Sequence, residues 1–301
     1  MEIYKPPVTD FTFQMETFGY KAISSYPQYE MFDQDTANSI MEEVGKFCKN
    51  EVLPTNRFGD NIELKFDPET GSVTLPDEFV QLYQKFVNSG FLGATHPEAY
   101  GGMGAPHMMG VSLGEMVTAT NKSFSMCPGL SHGLVDAIVA YGSDEQKNHY
   151  LPKLISGHWT GTMCLTEPHA GTDLGMLKTK AVPNGDHFLL SGTKIWISFG
   201  DHNFTDNIIH LVLARLPDAP PGIKGISTFL VPKYRTDGTR NPIRVGGLEH
   251  KMGIHASPTC VMNLEGATGH LIGEAHKGMR TMFVMMNNAR LGVAMEGVAL
   301  G

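Results

Sequence analysis

The spacing of apolar and polar positions changes character once along the chain. Between Asp35 and Ile155, apolar residues recur every three or four positions, the signature of helices that bury one face. Asp35 opens DTANSIMEEVGKFCKNEVL as a polar cap, and Ile40, Val44, Phe47 and Cys48 share its apolar side. PDEFVQLYQKFVNSG carries Pro76 at its start and Gly90 at its end, the asymmetry expected of a helix. MMGVSLGEMVTATN, SHGLVDAIVAYG and SDEQKNHYLPKLISG continue the pattern, with Ser143 as N-cap and Gln146 in the capping-box position of the last.

After Gly157 the apolar residues alternate in short runs bounded by turn residues. WTGTMCLT, KTKAVP, HFLLSGTKIWIS, NIIHLVLARL, GISTFLVPK, PIRVGGLEH and SPTCVMNLEG each predict a strand. PNGDH between two of them is a hairpin signal, and PDAPPGIKG is a Pro/Gly loop that leaves the sheet. From His276 helical spacing returns in KGMRTMFVMMNNARLGVAMEGVALG. The pattern divides the chain into an extension over 1–34, a helical domain over 35–157, a β domain over 158–275 and a helix over 276–301.

Composition narrows the function classes. The 301 residues are 41% hydrophobic, enough for a globular chain with a substantial core. The net charge of −8 with scattered Lys and Arg gives no electrostatic footprint for nucleic acid. Four cysteines stand far apart with no CxxC pair, which points to a reducing, cytoplasmic setting. The opening MEIYKPPVTDFTFQMETFGY lacks the apolar core of a signal peptide and the acid-poor character of a transit peptide. No uncharged apolar run approaches the ~20 residues of a membrane span. Thirteen dispersed histidines without HExxH or comparable spacing predict no metal site.

Candidate chemistry concentrates in MCLTEPHAGTDLG, Met163 to Gly175. Gly171 and Gly175 can adopt positive φ at little cost, and successive backbone N–H groups in such a turn form a nest that favours phosphate or pyrophosphate. Thr166 and Thr172 add hydroxyls. By itself this composition also describes an ordinary hairpin loop. About thirty residues later, KIWISFG places Trp196 and Ser198 two apart, on one face of a strand, an aromatic plate beside a hydroxyl that suits a planar ring. A lone strand tryptophan is ordinarily core.

Together, in this order and spacing, the two motifs resemble the FAD-binding middle domain of the acyl-CoA dehydrogenase family. Cys164, Leu165, Thr166, Glu167, Ala170, Gly171, Thr172 and Asp173 fit each position of its turn, while Met176 stands where a small residue is usual. PEAYGG, YGSDEQKNHYLPKLISGHW, GISTFLVPK and HKMGIHASPT extend the resemblance over nearly the entire chain. Within the family, the opening segment, PGLSHG and the stretch from Glu249 to Gly292 look most like the enlarged bacterial branch that includes 3-methylmercaptopropionyl-CoA dehydrogenases. His255 replaces the arginine of KxGxRxS, so no contact of that arginine is carried over.

The resemblance implies an α+β architecture: an all-α N-terminal domain, an antiparallel, barrel-like β domain, and the start of a C-terminal helical domain. It implies FAD-dependent removal of an α proton and a β hydride from an acyl-CoA, giving a trans-2-enoyl-CoA. Met163, Leu165, Thr166, Gly171, Thr172, Trp196 and Ser198 are the expected cofactor contacts. Leu165 and Thr166 would serve the flavin edge, Gly171 and Thr172 the pyrophosphate, Trp196 one ring face and Ser198 the region near N5. Thr172 is also an expected substrate contact, and Pro97–Gly104 an expected cavity wall. Glu167 reads as a turn or ion-pair residue. An acyl-CoA substrate, an electron-transfer flavoprotein and a homo-oligomer are the implied partners. No catalytic residue is assigned: the base is expected beyond Gly301, Ala289 precedes Arg290 and Leu291 where some branches carry it, and Glu296 lies ~10.5 Å further along the helix. The apolar final helix leads to the expectation of a fragment that is inactive alone, exposes its Met282–Leu300 face and binds FAD weakly. Ser131, His132 and Asp136 lie too close on one helix for a hydrolytic triad. Two other readings remain open, a catalytically inactive flavin or acyl-CoA scaffold and a flavin oxidase or monooxygenase on the same fold.

Overall fold

The computed structural model describes residues 4–301. Helices α1 (Val8–Thr17) and α2 (Tyr20–Ser24) precede α3 (Gln34–Phe47), which passes through a π-helical turn at Cys48–Val52 into α4 (Leu53–Asp60). Phe11, Met15 and Tyr20 are buried beside Met41, Val44 and Phe79, so residues 8–24 share one core with the helices that follow. The cap of α3 is Asp33 rather than Asp35, its carboxylate accepting from the Thr36 N–H at 2.8 Å. A small hairpin absent from the sequence reading, β1 (Lys65–Asp67) with β2 (Ser72–Thr74), interrupts the helices. Then come α5 (Asp77–Asn88), α6 (His107–Thr120), α7 (Lys122–Tyr141) and α8 (Asp144–Ile155). Ser143 and Gln146 form the expected capping box of α8.

The β region comprises β3 (Trp159–Cys164), β4 (Lys180–Asn184), β5 (His187–Ser198), β6 (Asn207–Arg215), β7 (Ile226–Pro232), β8 (Ile243–Leu248) and β9 (Thr259–Ile272). Strand neighbours run β3-β6-β4-β5-β9-β7, and β7 pairs back onto β6, which closes the sheet into a ring. Gly185, at φ +68°, makes the β4–β5 turn of PNGDH, a conformation costly for any residue with a Cβ. The sheet is mixed rather than purely antiparallel, because β3 and β4 both run parallel to β6. The chain from β3 to β6 carries the whole β4–β5 hairpin, long enough for the crossover a parallel pair requires.

NIIHLVLARL is continuously apolar because β6 is covered on both faces. Val212 and Ala214 fill the ring with Phe229 and Val231, while Ile209 and Leu211 meet Leu134 and Ile138 of α7. The last helix, α9 (Gly278–Leu300), crosses α6, α7 and β7. Met282 and Met285 are buried there, whereas Phe283, Leu291, Val293, Val298 and Leu300 are exposed. Its expected open face is thus only partly open. Among the described residues, no helix is long and apolar enough to cross a membrane.

Candidate functional site

The Met163–Gly175 turn begins where β3 ends and is pinned by β5. Glu167 and Ala170 exchange backbone hydrogen bonds of 2.9 and 3.0 Å, so Pro168 and His169 form a tight tip. Ile195 donates its N–H to the Thr166 carbonyl at 2.9 Å. Lys194, fully buried, donates its ammonium to the Leu165 carbonyl and to Glu167 Oε1, both at 2.9 Å. Glu167 also accepts from Lys178 N at 2.7 Å, Thr179 N at 3.0 Å and Thr179 Oγ1 at 2.5 Å. Burial pushes the Glu167 carboxyl up, but Lys194 and these donors outweigh it and hold it below the usual carboxylate range. Burial lowers Lys194, opposed by Glu167. Glu167 is an ion-pair residue, as its place in the turn suggested.

Six of the seven expected cofactor contacts, Met163, Leu165, Thr166, Gly171, Thr172 and Trp196, line one cavity of about 500 Å³. Met279, Met282, Phe283 and Met286 of α9 close another wall, and Ile223 a third. Ser198 does not line it. The ladder between β5 and β9 is bulged between Lys194 and Ile197, and Trp196 stands at φ +62° and is 55% exposed. Simple alternation therefore does not govern Trp196 and Ser198. A positive φ at so bulky a residue is backbone strain held by its surroundings.

The glycines act differently from expectation too. Neither Gly171 nor Gly175 has positive φ. The paired Glu167–Ala170 tip turns the chain without it. A Cβ at Gly171 would meet only Thr166 Cγ2, at 3.7 Å, so its backbone is open to close approach from the cavity. Among the described residues, the Thr166 and Thr172 hydroxyls and the N–H groups of Gly171 and Thr172 have no hydrogen-bond partner. A cavity lined by these free N–H and hydroxyl donors and by an exposed aromatic plate fits a group carrying both phosphate and a planar ring.

Sequence reasoning missed Arg215. At the end of β6, its guanidinium donates to the carbonyls of Leu177 (2.9 Å), Gly175 (2.6 Å), Pro220 (3.0 Å) and Gly222 (2.7 Å). It ties the end of the turn to the Pro/Gly loop that presents Ile223. Its only signal was an arginine closing an apolar strand.

A second, mainly apolar cavity of about 320 Å³ lies among α6, α7 and α9. Met163 lines both cavities. Pro97–Gly104 lines neither, because it folds back on His96, whose carbonyl would lie 2.1 Å from a Cβ at Gly102; Ala94 and Thr95 take part in its place. His132 and His107 face this second cavity. Donor atoms of His96, His132 and Asp136 lie within 4.8 Å of one another, a convergence invisible in sequence because His96 sits in a separate loop. Burial, then His132 and His107, pulls His96 down to about 3. Ser131 donates to the Cys127 carbonyl at 3.1 Å and accepts from Gly161 N at 3.0 Å, so it is no nucleophile for His132. Glu296 is bound to Lys122 at 2.5 Å. His255 pairs with Asp60 at 2.8 Å, which together with the Lys251 carbonyl raises its pKa.

Residues 34–158 match the acyl-CoA dehydrogenase N-terminal domain and residues 162–267 the acyl-CoA dehydrogenase middle domain. The chain belongs to the acyl-CoA dehydrogenase family. It is 43% identical over 99% of its length to the 3-methylmercaptopropionyl-CoA dehydrogenase of Ruegeria pomeroyi, covering 51% of that protein. A broad-specificity linear acyl-CoA dehydrogenase of Mycobacterium tuberculosis is 34% identical, again over 99% of this chain and 51% of the relative. The chain spans about half the length of these curated relatives. Among solved structures, an acyl-CoA dehydrogenase of Bacillus anthracis complexed with FAD superposes with a TM-score of 0.73 at 29% identity, covering 90% of this chain and 42% of that one.

Proposed function

We propose that the protein binds FAD in the cavity of the Met163–Gly175 turn and takes part in α,β-dehydrogenation of an acyl-CoA thioester. The observation that carries this is the meeting of two cavities at Met163, one lined by free N–H and hydroxyl donors and an aromatic plate, the other mainly apolar. FAD, when bound, supplies the hydride acceptor. Gly171 and Thr172 offer N–H and hydroxyl donors to its pyrophosphate, Leu165 and Thr166 the donors for the ring edge, and Trp196 a stacking surface. Lys194 and Glu167 hold Leu165 and Thr166 in register, so these donors need no reorganisation on binding. The helices around the second cavity exclude water from the acyl group. That cavity sets the reacting carbons beside Met163, where proximity supplies much of the rate.

No residue of this chain is assigned as the base. Ala289 carries no acceptor, and Glu296 is engaged by Lys122. The 43% identity favours 3-methylmercaptopropionyl-CoA as a substrate to test first. An electron-transfer flavoprotein is the proposed acceptor. Anaerobic addition of acyl-CoAs, including 3-methylmercaptopropionyl-CoA, to the FAD-loaded full-length protein tests the reading. Bleaching of the flavin absorbance is expected with at least one thioester, and bleaching with none of them overturns it.

A further inference from the structure

Helices α7 and α9 run antiparallel, and two contacts fix their register. A Cβ at Gly133 would lie 2.7 Å from Met285 Cγ, so the helices touch closely there. Eleven residues back along α7 and eleven forward along α9, Lys122 Nζ meets Glu296 Oε1 at 2.5 Å. At ~1.5 Å per residue, the two contacts are about 16 Å apart along the helix axes. The second cavity extends between them, and both Lys122 and Glu296 line it.

The Gly133 end is the end nearest the first cavity. Gly161 of β3 packs against Leu134, with its missing Cβ 2.6 Å from Leu134 Cδ2, and Met163 follows two residues later. Between the ends, Gly129 of α7 and Gly292 of α9 would each place a Cβ in open space, which leaves the channel clear. The far end is chemically different. Lys122 and Glu296 are 16% and 26% exposed, and Lys122 Nζ also lies 2.9 Å from Met126 Sδ. An alkyl terminus pushed against this pair must separate or further desolvate two charges, and neither cost is recovered from an apolar ligand.

We infer that the Lys122–Glu296 ion pair is the stop of the acyl channel, and that it selects short to medium acyl groups. This rests on the reading of the second cavity as the acyl site. Subtracting about 4 Å of van der Waals contact at each end leaves roughly 8 Å, and an extended chain advances about 1.3 Å per carbon. The channel therefore holds about six or seven chain atoms. A linear acyl group containing a thioether fits the same length.

The test is calorimetric binding of trans-2-enoyl-CoAs of roughly four to sixteen carbons to the FAD-loaded full-length protein, ligands the forward reaction does not consume. Affinity is expected to rise to about seven carbons and then fall at least tenfold. Lys122→Met with Glu296→Leu removes both charges together, so neither is left unpaired in the channel. This double variant should move the affinity maximum beyond about ten carbons, while Gly129→Leu, which fills the middle of the channel, should move it below about six. Thermal unfolding of each variant checks that it is folded. A maximum that stays in place in both variants, or wild-type affinity that climbs steadily to the longest chain, overturns the stop. Binding at no length overturns the acyl-CoA reading itself, and is distinct from an unmoved maximum.

Discussion

Replacing Lys194 by methionine probes whether the Met163–Gly175 turn, the proposed flavin site, is held by its buried ion pair. The side chain is fully buried, and methionine matches much of its length without a charge. The change removes the donor to the Leu165 carbonyl and the partner of Glu167, both 2.9 Å away. Breaking a buried pair by deleting one partner typically costs about 3–5 kcal/mol. Three donors remain on Glu167, from Lys178 N, Thr179 N and Thr179 Oγ1, and they soften the loss. The expectation is therefore the lower end, about 3 kcal/mol, a large share of the ~5–15 kcal/mol that stabilises a typical domain. Urea unfolding measures it. Because the same ammonium fixes Leu165, FAD affinity read by flavin fluorescence should fall about tenfold or more, equivalent to ~1.4 kcal/mol. A double-mutant cycle with Glu167→Gln should give a coupling of about 2 kcal/mol. A stability loss under ~1 kcal/mol with unchanged FAD affinity would refute the argument.

Two further outcomes test other parts of the structure. His96, His202 and His210 are buried and pulled down to about 3, in each case first by burial and then by neighbouring imidazoles or cations. Their folded pKa values lie below the unfolded ~6.5, so the unfolded chain takes up more protons between about pH 3 and 6.5 and stability falls as pH drops through that window. Three such groups predict a loss of about 4 kcal/mol between about pH 7 and pH 5.5 in urea unfolding, and a change under ~1 kcal/mol would show that they are not buried neutral. Arg215→Ala releases the carbonyls of Leu177, Gly175, Pro220 and Gly222 together, so limited proteolysis within 216–225 should speed up about tenfold, and unchanged cleavage would show that the loop is held otherwise.

What was legible in the chain follows from what a pattern encodes. Periodicity reports which faces are buried, so the helices of residues 35–155 and the strands after Gly157 could be read closely. It does not report partners, so nothing in NIIHLVLARL shows that β6 pairs antiparallel with β7 but parallel with β3 and β4. The motif residues Met163, Leu165, Thr166, Gly171, Thr172 and Trp196 converge on one cavity, yet the reasons offered for two of them did not survive. Gly171 turned out to need open space rather than a positive φ, and Trp196 reaches the cavity through a bulge rather than through alternation. Both misreadings treated a local rule as if it fixed a side chain's surroundings. The groups that do fix them are distant in sequence: Lys194 acts on Leu165 and Glu167, Arg215 on Gly175 and Leu177, Lys122 on Glu296. Each is a long cation whose charged end meets a carbonyl or carboxylate across the fold. A lysine or arginine in a linear sequence looks like surface, because only the folded chain reveals which cations have lost their water.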